Sequence, residues 1–265
     1  MKIKDVICTL ESFAPLPLQE SYDNAGLQVG LTEAEVSGVL LCLDVTEEVI
    51  AEAVDLECNL IVAHHPLLFR GLKRVSDQTQ VERCVREAIK NDISIYAIHT
   101  NLDNAEDGVN YAIAERLGLV DVALMQPHRV VVGERMVAAG SGIIGYLPEA
   151  EDSLAFLQRV KQTFGIECLM HNELMDRPIQ CVALCGGAGE FLIDEAIALG
   201  ADAYLTGEIG YHHFFGHEQE IQLAAMGHYQ SEQYTPDLLL NILAEHYPTL
   251  ALFKTTVSTN PIKYL

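Results

Sequence analysis

Short apolar runs alternate with amphipathic segments along most of the chain, which has 265 residues. Residues 60–63 are all apolar and lack a helical period, which is typical of a buried strand in a parallel sheet. The pattern predicts further strands at residues 36–43, 93–98, 179–184, 203–205, 221–226 and 250–254. It predicts helices at residues 3–10, 78–90, 108–117, 151–164, 191–199 and 235–246, and one after the capping residue Thr46. Because strands alternate with helices, we predict an α/β fold of βαβ units with mostly parallel sheets.

The pattern between residues 121 and 145 is less regular. It predicts a strand at residues 130–139 and a glycine-rich strand and turn at residues 140–147, and a further helix is predicted at residues 209–217. The chain is expected to form one two-lobed α/β domain over residues 1–265, with no inserted middle domain. One lobe takes about residues 1–125 plus the carboxyl-terminal segment, and the other about residues 126–225.

The charge and the cysteine content exclude several classes of function. The net charge is −22, from 38 acidic and 16 basic residues, so a general nucleic-acid binder is not expected. The seven cysteines are scattered and form no C-x-x-C, which argues against a disulfide framework or a zinc ribbon and fits a reducing cytoplasm. No signal-peptide core or segment of transmembrane length is visible, so no membrane association is expected.

Histidines and carboxylates follow three of the predicted strands. His64 and His65 come directly after residues 60–63, where α/β sheets place their ligands. Neighbouring residues in a strand point to opposite faces, so two ions about 3.5–4 Å apart would each take one histidine. Asp103 follows the next strand, and His228 and Glu232 share one face at the start of a helix. Three imidazoles and two carboxylates predict a two-metal site at strand ends between the lobes, and zinc, iron, manganese or nickel would suit it.

Other polar groups leave alternatives open. Glu208 with His212, and His213 with His217, have the same four-residue spacing and are equally good ligands on spacing alone. The histidines at strand ends could also be ordinary hydrogen-bonded residues. A cluster of three basic side chains is either an anion-steering patch or a solvated loop: Arg70, Lys73 and Arg74. The glycines at 186, 187 and 189 predict a tight structural turn, since no phosphate-binding fingerprint accompanies them.

Six motifs in this order resemble the family of GTP cyclohydrolase I type 2 homologues, a dinuclear-metal, Ngg1-interacting-factor-like family. The motifs are Tyr22-Asp23-Asn24-Ala25-Gly26-Leu27-Gln28-Val29-Gly30, His64-His65-Pro66-Leu67, His99-Thr100-Asn101-Leu102-Asp103, Gly186-Gly187-Ala188-Gly189, Thr206-Gly207-Glu208 and Gly227-His228-Tyr229-Gln230-Ser231-Glu232. The resemblance implies the same five metal ligands, with Glu232 bridging two divalent ions. It also implies a two-lobed fold and a toroidal homohexamer with its sites facing an inner cavity.

The function implied is a metal-dependent hydrolase that acts on a nucleotide or related small phosphorylated substrate. In a GTP cyclohydrolase-like reaction, water would attack the imidazole carbon of a purine. His99 and His212 are then candidates for proton transfer, and the candidate substrate-binding residues are Arg70, Lys73, Arg74 and Glu208. The alternatives are a phosphoester hydrolase and a non-enzymatic metal-binding adaptor or regulatory protein. The chain departs from the family in having Tyr22 where tryptophan is frequent, and His213 where aspartate is frequent.

Overall fold

A computed structural model describes residues 1–265 and confirms the α/β fold. The helices are α1 Ile3–Phe13, α2 Glu47–Asp55, α3 Gln80–Lys90, α4 Thr100–Asp103, α5 Val109–Leu117, α6 Ser153–Thr163, α7 Ile193–Ala198, α8 His228–Glu232 and α9 Thr235–His246. The strands are β1 Gly26–Val29, β2 Val39–Cys42, β3 Leu60–Ala63, β4 Ser94–Ala97, β5 Val120–Val132, β6 Arg135–Glu151, β7 Met170–His171, β8 Ile179–Cys185, β9 Ala203–Thr206, β10 Gln222–Ala225 and β11 Leu252–Lys254. Short 3-10 turns occupy Leu16–Leu18, Glu190–Leu192 and Tyr211–Phe214.

Contacts divide the chain into two compact units. The first unit comprises Met1–Leu102 and Tyr234–Pro261, and the second comprises Asp103–Gln233 and Ile262–Leu265. The predicted lobe boundaries near residues 125 and 225 stay a prediction.

The sheet of the first unit has the strand order β1-β4-β3-β2-β11. Strands β4, β3, β2 and β11 are parallel, with Ala63 opposite both Cys42 and Ala97. The last residues of β2, β3 and β4 therefore lie side by side along one edge of the sheet, the edge formed by the carboxyl ends of these strands. Strand β1 is antiparallel to β4 and begins with Gly26 opposite Ala97, so the loop before β1 comes to this edge as well.

The buried strands explain why this sheet forms. Every residue of β2, β3 and β4 is buried, as expected for parallel strands covered on both faces. Helices α2 and α3 begin at threonine caps: the side chain of Thr46 accepts from the amide of Val49, and that of Thr79 accepts from the amide of Glu82. Their apolar faces join a core that includes Ile50.

The sheet of the second unit has the strand order β5-β6-β8-β9-β10-β7. Only β8, β9 and β10 are parallel, and their last ladder residues are Cys185, Thr206 and Ala225. The remaining neighbours are antiparallel, so this sheet is mixed. Residues that follow β8, β9 and β10 emerge at one edge, as those of the first unit do.

Three predictions for this unit are wrong, wholly or in part. The predicted strand at residues 130–139 is split by a two-residue hairpin turn between Val132 and Arg135, because Gly133 has φ +60°. Residues 140–147 lie within β6, so the strand predicted there is confirmed and the turn is wrong. The predicted helix at residues 209–217 is only the 3-10 turn Tyr211–Phe214, since it is followed by Gly216 with φ +83°.

The seven cysteines are free. None of the helices combines the length and apolar character that a membrane span requires.

Candidate metal-binding residues

Three histidines of the first unit meet where β3 and β4 end. His64 and His65 follow β3, and His99 lies two residues beyond the end of β4. Their ring centroids are 4.9–5.4 Å apart, and one nitrogen from each ring lies within 4.8 Å of one nitrogen of the other two. Three imidazoles this close are a set that could hold a metal ion.

The Nδ1 atom of each ring is held by an oxygen that accepts a hydrogen bond. The acceptor is the carbonyl of Ile98 for His64, at 2.9 Å, and Asp44 Oδ1 for His65, at 2.7 Å. For His99 it is Asp23 Oδ1, at 2.8 Å. With the proton on Nδ1, the lone pair of the neutral ring is on Nε2. Metal-binding histidines are usually oriented through their other nitrogen in this way.

The close approach of His64 and His65 corrects the expectation that they point to opposite faces. Strand β3 ends at Ala63, and both histidines lie in the bend that follows it. The alternation of side chains along a strand does not extend into a bend, so the two rings converge. The two rings can therefore face one ion as well as two neighbouring ions.

Asp23 is the most strongly held carboxylate at this edge. Its side chain has no exposed surface, and it also accepts hydrogen bonds from the amide and hydroxyl of Thr100. Burial raises the pKa of Asp23, but hydrogen bonds from His99 and Thr100 outweigh burial and lower it from 3.8 to about 2. Because this pKa is lower in the folded chain than in the unfolded one, Asp23 contributes stability above pH about 4. That contribution is lost as the pH falls toward 2.

Asp44 supports His65 in the same manner. Its Oδ2 accepts a hydrogen bond of 2.7 Å from the hydroxyl of Thr259, which lies beyond β11 near the end of the chain. Burial raises the pKa of Asp44. The hydrogen bonds from His65 and Thr259 lower this pKa by a larger amount, so the net shift is downward.

In the second unit, Asp103, His228 and Glu232 are near neighbours. Nε2 of His228 lies 3.2 Å from Glu232 Oε2, one turn along α8. An oxygen of Asp103 and an oxygen of Glu232 lie within 4.8 Å of each other. The side chain of Glu232 is only 4 % exposed. The structure thus brings together the two carboxylates and the third imidazole of the predicted ligand set.

The chemistry of these donors fits a cation. Nδ1 of His228 donates a hydrogen bond of 2.8 Å to Glu208 Oε1, which puts the lone pair of the neutral ring on Nε2. That lone pair faces the carboxylate of Glu232, and the two repel unless a proton or metal ion lies between them. The carboxylates of Asp103 and Glu232 also repel each other at close range, and a cation between them would relieve this repulsion.

The glycine turn after β8 fits tightly against Glu232. Gly187 has φ +61°, and a Cβ atom built on it would lie 2.4 Å from Glu232 Oε1. The amide of Gly187 donates to Ser231 Oγ at 3.0 Å, within α8. The turn is structural, as its sequence predicted, and its role is to leave room for this carboxylate.

The remaining predicted residues are not gathered in the same way. Glu208, a candidate for substrate binding, instead accepts the hydrogen bond of His228. His212 is exposed and contacts the rings of Tyr211 and Phe215, with no hydrogen bond to orient it. His217 contacts Glu220 at 3.2 Å.

The rival cluster at residues 208–217 therefore does not form. Its four-residue spacing stacks side chains only on a continuous helix, and the 3-10 turn is too short. His213 instead lies 4.0 Å from Glu190, outside the cluster.

Comparison with known proteins agrees with the motifs. Residues 1–261 match the family Duf34/NIF3 (NGG1p interacting factor 3). The chain belongs to this family. A Clostridium acetobutylicum protein named GTP cyclohydrolase 1 type 2 homolog is 34% identical over 233 residues, which are 88% of this chain and 85% of that protein. A Campylobacter jejuni protein of the same name is 30% identical over 265 residues and all of both chains.

Structural comparison finds the same fold in a solved protein. The crystal structure of a hypothetical protein from Staphylococcus aureus matches with a TM-score of 0.91 and 26% identity. The match covers 100% of this chain and 99% of that one. The resemblance drawn from the six motifs is thus confirmed.

Sequence reasoning missed the residues that hold these donors in place. Asp44, Thr259 and Asn110 carry no motif signal, because each acts through a contact distant in sequence. Asn110 is an example: its amide donates to the carbonyl of Asp103 at 3.0 Å, and its oxygen accepts from the amide of Gly186 at 2.8 Å. Among these supporting residues, only Asp23 could have been found from the sequence, because it is a carboxylate inside one of the six motifs.

Proposed function

We propose that this member of the NIF3 family is a dinuclear metal-binding protein and a metal-dependent hydrolase. Its substrate would be a nucleotide or related small phosphorylated molecule. The observation that carries the proposal is the orientation of three imidazoles, since Nδ1 is hydrogen-bonded to an oxygen in His64, His65 and His228. A lone pair on Nε2 of each ring is the state that a metal requires.

The ligands in this proposal are His64, His65, Asp103, His228 and Glu232. Five side chains do not fill the coordination shells of two ions, so one carboxylate must be shared and positions remain for water or substrate. Glu232 is the shared ligand, because it lies beside both His228 and Asp103. Structural zinc sites are closed sets of four ligands, so this open set favours catalysis.

Two divalent ions would supply Lewis acidity and activate water near neutral pH. The residues of the chain supply the remaining functions. His99, oriented by Asp23, transfers a proton at Nε2. His212 is the second candidate for proton transfer. Arg70, Lys73 and Arg74 bind the phosphate of the substrate.

The decisive experiment for the function is a turnover assay with the metal-loaded protein. The panel contains purine nucleoside triphosphates and monophosphates and simple phosphoesters, with formate and phosphate as the products measured. We expect turnover of a nucleotide that is abolished by a chelator and restored by one of zinc, iron, manganese or nickel. A protein that holds two ions but turns over no member of the panel would instead be a metal-binding adaptor.

Removing one ligand should remove metal without unfolding the chain. We expect two divalent ions per chain in the unchanged protein, and at most one in His64→Ala or Asp103→Ala. His128→Ala is the matched control, since His128 is exposed on β5 and takes no part in the proposed set. Elemental analysis gives the metal content, and circular dichroism checks the fold. Full metal content in both ligand variants would overturn the assignment.

The family resemblance also leads us to propose a closed homo-oligomer, a toroidal homohexamer, located in the cytoplasm. Light scattering on the purified protein should give six times the chain mass of 29.2 kDa. A monomer mass at micromolar concentration and moderate salt would contradict this assembly.

A further inference from the structure

Two aromatic side chains of the first unit are exposed side by side. Tyr22, in the loop before β1, is 63% exposed, and Phe69, in the loop after β3, is 45% exposed. Their ring centroids are 6.5 Å apart with an interplanar angle of 62°, an edge-to-face arrangement. An exposed pair of aromatic rings in contact is a candidate contact surface for a ligand.

The two loops that carry these rings are fixed to each other. The side-chain amide of Asn24 donates to the carbonyl of Leu68 at 2.7 Å, and the amide of Leu68 donates to Gln28 Oε1 at 3.0 Å. Gln28 in turn donates to the carbonyl of Asn24 at 2.7 Å. The residue next to Phe69 is thereby held at both its amide and its carbonyl. These hydrogen bonds fix the two loops that carry the rings relative to each other before any ligand arrives.

The ring pair lies directly beside the histidines of this unit. The ring of Phe69 is 6.3 Å from that of His99, at 85°. Tyr22 is adjacent to Asp23, which is hydrogen-bonded to His99. A planar group in contact with these aromatic rings would therefore lie close to the ring of His99.

Positive charge without a partner lies just beyond Phe69. Arg70, Lys73 and Arg74 are exposed, and none forms an ion pair with a carboxylate. Other basic residues of the first unit are paired, for example Lys2 and Lys4 with Glu33, Arg83 with Glu47, and Lys254 with Asp237. In a chain of net charge −22, three cations left unpaired in one loop attract an anion.

We propose that Tyr22 and Phe69 form an aromatic platform: the base of a nucleoside phosphate stacks on one ring and contacts the other edge-on, with its phosphate bound by Arg70, Lys73 and Arg74. The inference rests on the proposed function and makes its substrate class more specific: the substrate must carry a planar aromatic ring as well as a phosphate. Stacking on aromatic side chains accepts any base, because every base has a π-face. The position of the rings beside His99, a residue of the proposed reaction site, favours this occupant over a second copy of the chain.

The test measures the binding of three probes by calorimetry: guanosine 5′-monophosphate, guanosine and ribose 5-phosphate. Guanosine 5′-monophosphate has both the ring and the phosphate, and each of the others has one of them. We expect it to bind at least about tenfold more tightly than either of the others, since stacking and charge contribute separately.

Variants assign the two contributions to residues. Tyr22→Leu and Phe69→Leu keep apolar bulk but remove the ring, so each should weaken guanosine 5′-monophosphate by about fivefold or more and leave ribose 5-phosphate unchanged. Tyr22→Phe keeps the ring and should bind normally. Replacing Arg70, Lys73 and Arg74 by alanine should weaken both phosphate-containing probes. Phe253→Leu is the matched control. Phe253 is an exposed ring on β11, which is the outermost strand on the side of the sheet away from β1.

The outcomes separate this inference from the function on which it rests. Unchanged affinity for guanosine 5′-monophosphate in both leucine variants would overturn the platform, whatever the metal content and turnover. A lower mass of these variants in light scattering would also overturn it, because the rings would then belong to a subunit interface. Ring-dependent binding by a protein that holds no metal would leave the platform standing and refute the hydrolase.

Discussion

If the chain binds two ions and is a hydrolase, as proposed, a Glu232→Gln protein is expected to lose at least one ion and, with it, all hydrolysis. Two divalent ions about 4 Å apart repel each other by on the order of 15 kcal/mol at an effective dielectric constant of 20. A carboxylate between them is closer to each ion than the ions are to one another, so its charge offsets much of that repulsion. Glutamine has the same shape and no charge.

The local structure makes this substitution a test of charge. Glu232 lies against the glycine turn, where a Cβ on Gly187 would come within 2.4 Å of its Oε1, so the amide occupies the space of the carboxylate. Glu82→Gln is the matched control, because Glu82 is also buried, at 7% exposure, and is hydrogen-bonded to Ser76. Metal content and turnover are measured on the same samples. Two ions and normal turnover in the Glu232→Gln protein would rule out the bridging role.

A His99→Ala protein is expected to keep both ions while turnover falls by about 10²–10⁴-fold, the range for loss of a general acid or base. The structure also offers a competing role, because His99 stands in a group with His64 and His65 that could hold a metal ion. Metal content distinguishes the two roles. Loss of an ion in His99→Ala would make His99 a ligand, and normal turnover would leave it without a function in the reaction.

Asp23→Asn tests how His99 is oriented. The carboxylate accepts the Nδ1 proton of His99, whereas an asparagine amide can donate to Nδ1 and move the ring proton to Nε2. We expect turnover to fall nearly as far as in His99→Ala, with metal content unchanged. His128→Ala is the control for removal of an exposed imidazole. His212→Ala, measured in parallel, should reduce turnover to a similar extent if His212 is the second proton-transfer group.

The sequence by itself determined the core of the fold and the chemistry of the donors. Strand β3 was visible as an apolar run ending in His64 and His65, because a buried parallel strand must be apolar along its whole length. The short apolar runs before Asp103 and His228 predict buried strands for the same reason. The family followed from six motifs that occur together in one order along the chain.

Only the tertiary structure decided which polar groups meet. Glu208 with His212, and His213 with His217, have the four-residue spacing of ligands on a helix, yet this segment forms only a short 3-10 turn. Asp44 supports His65, and Thr259 supports Asp44 from 215 residues away. Such contacts leave no periodic pattern, since they arise from the pairing of strands and from the path of the carboxyl-terminal segment. Local sequence sets the identity of a donor, while long-range packing sets its direction and its hydrogen-bond partner.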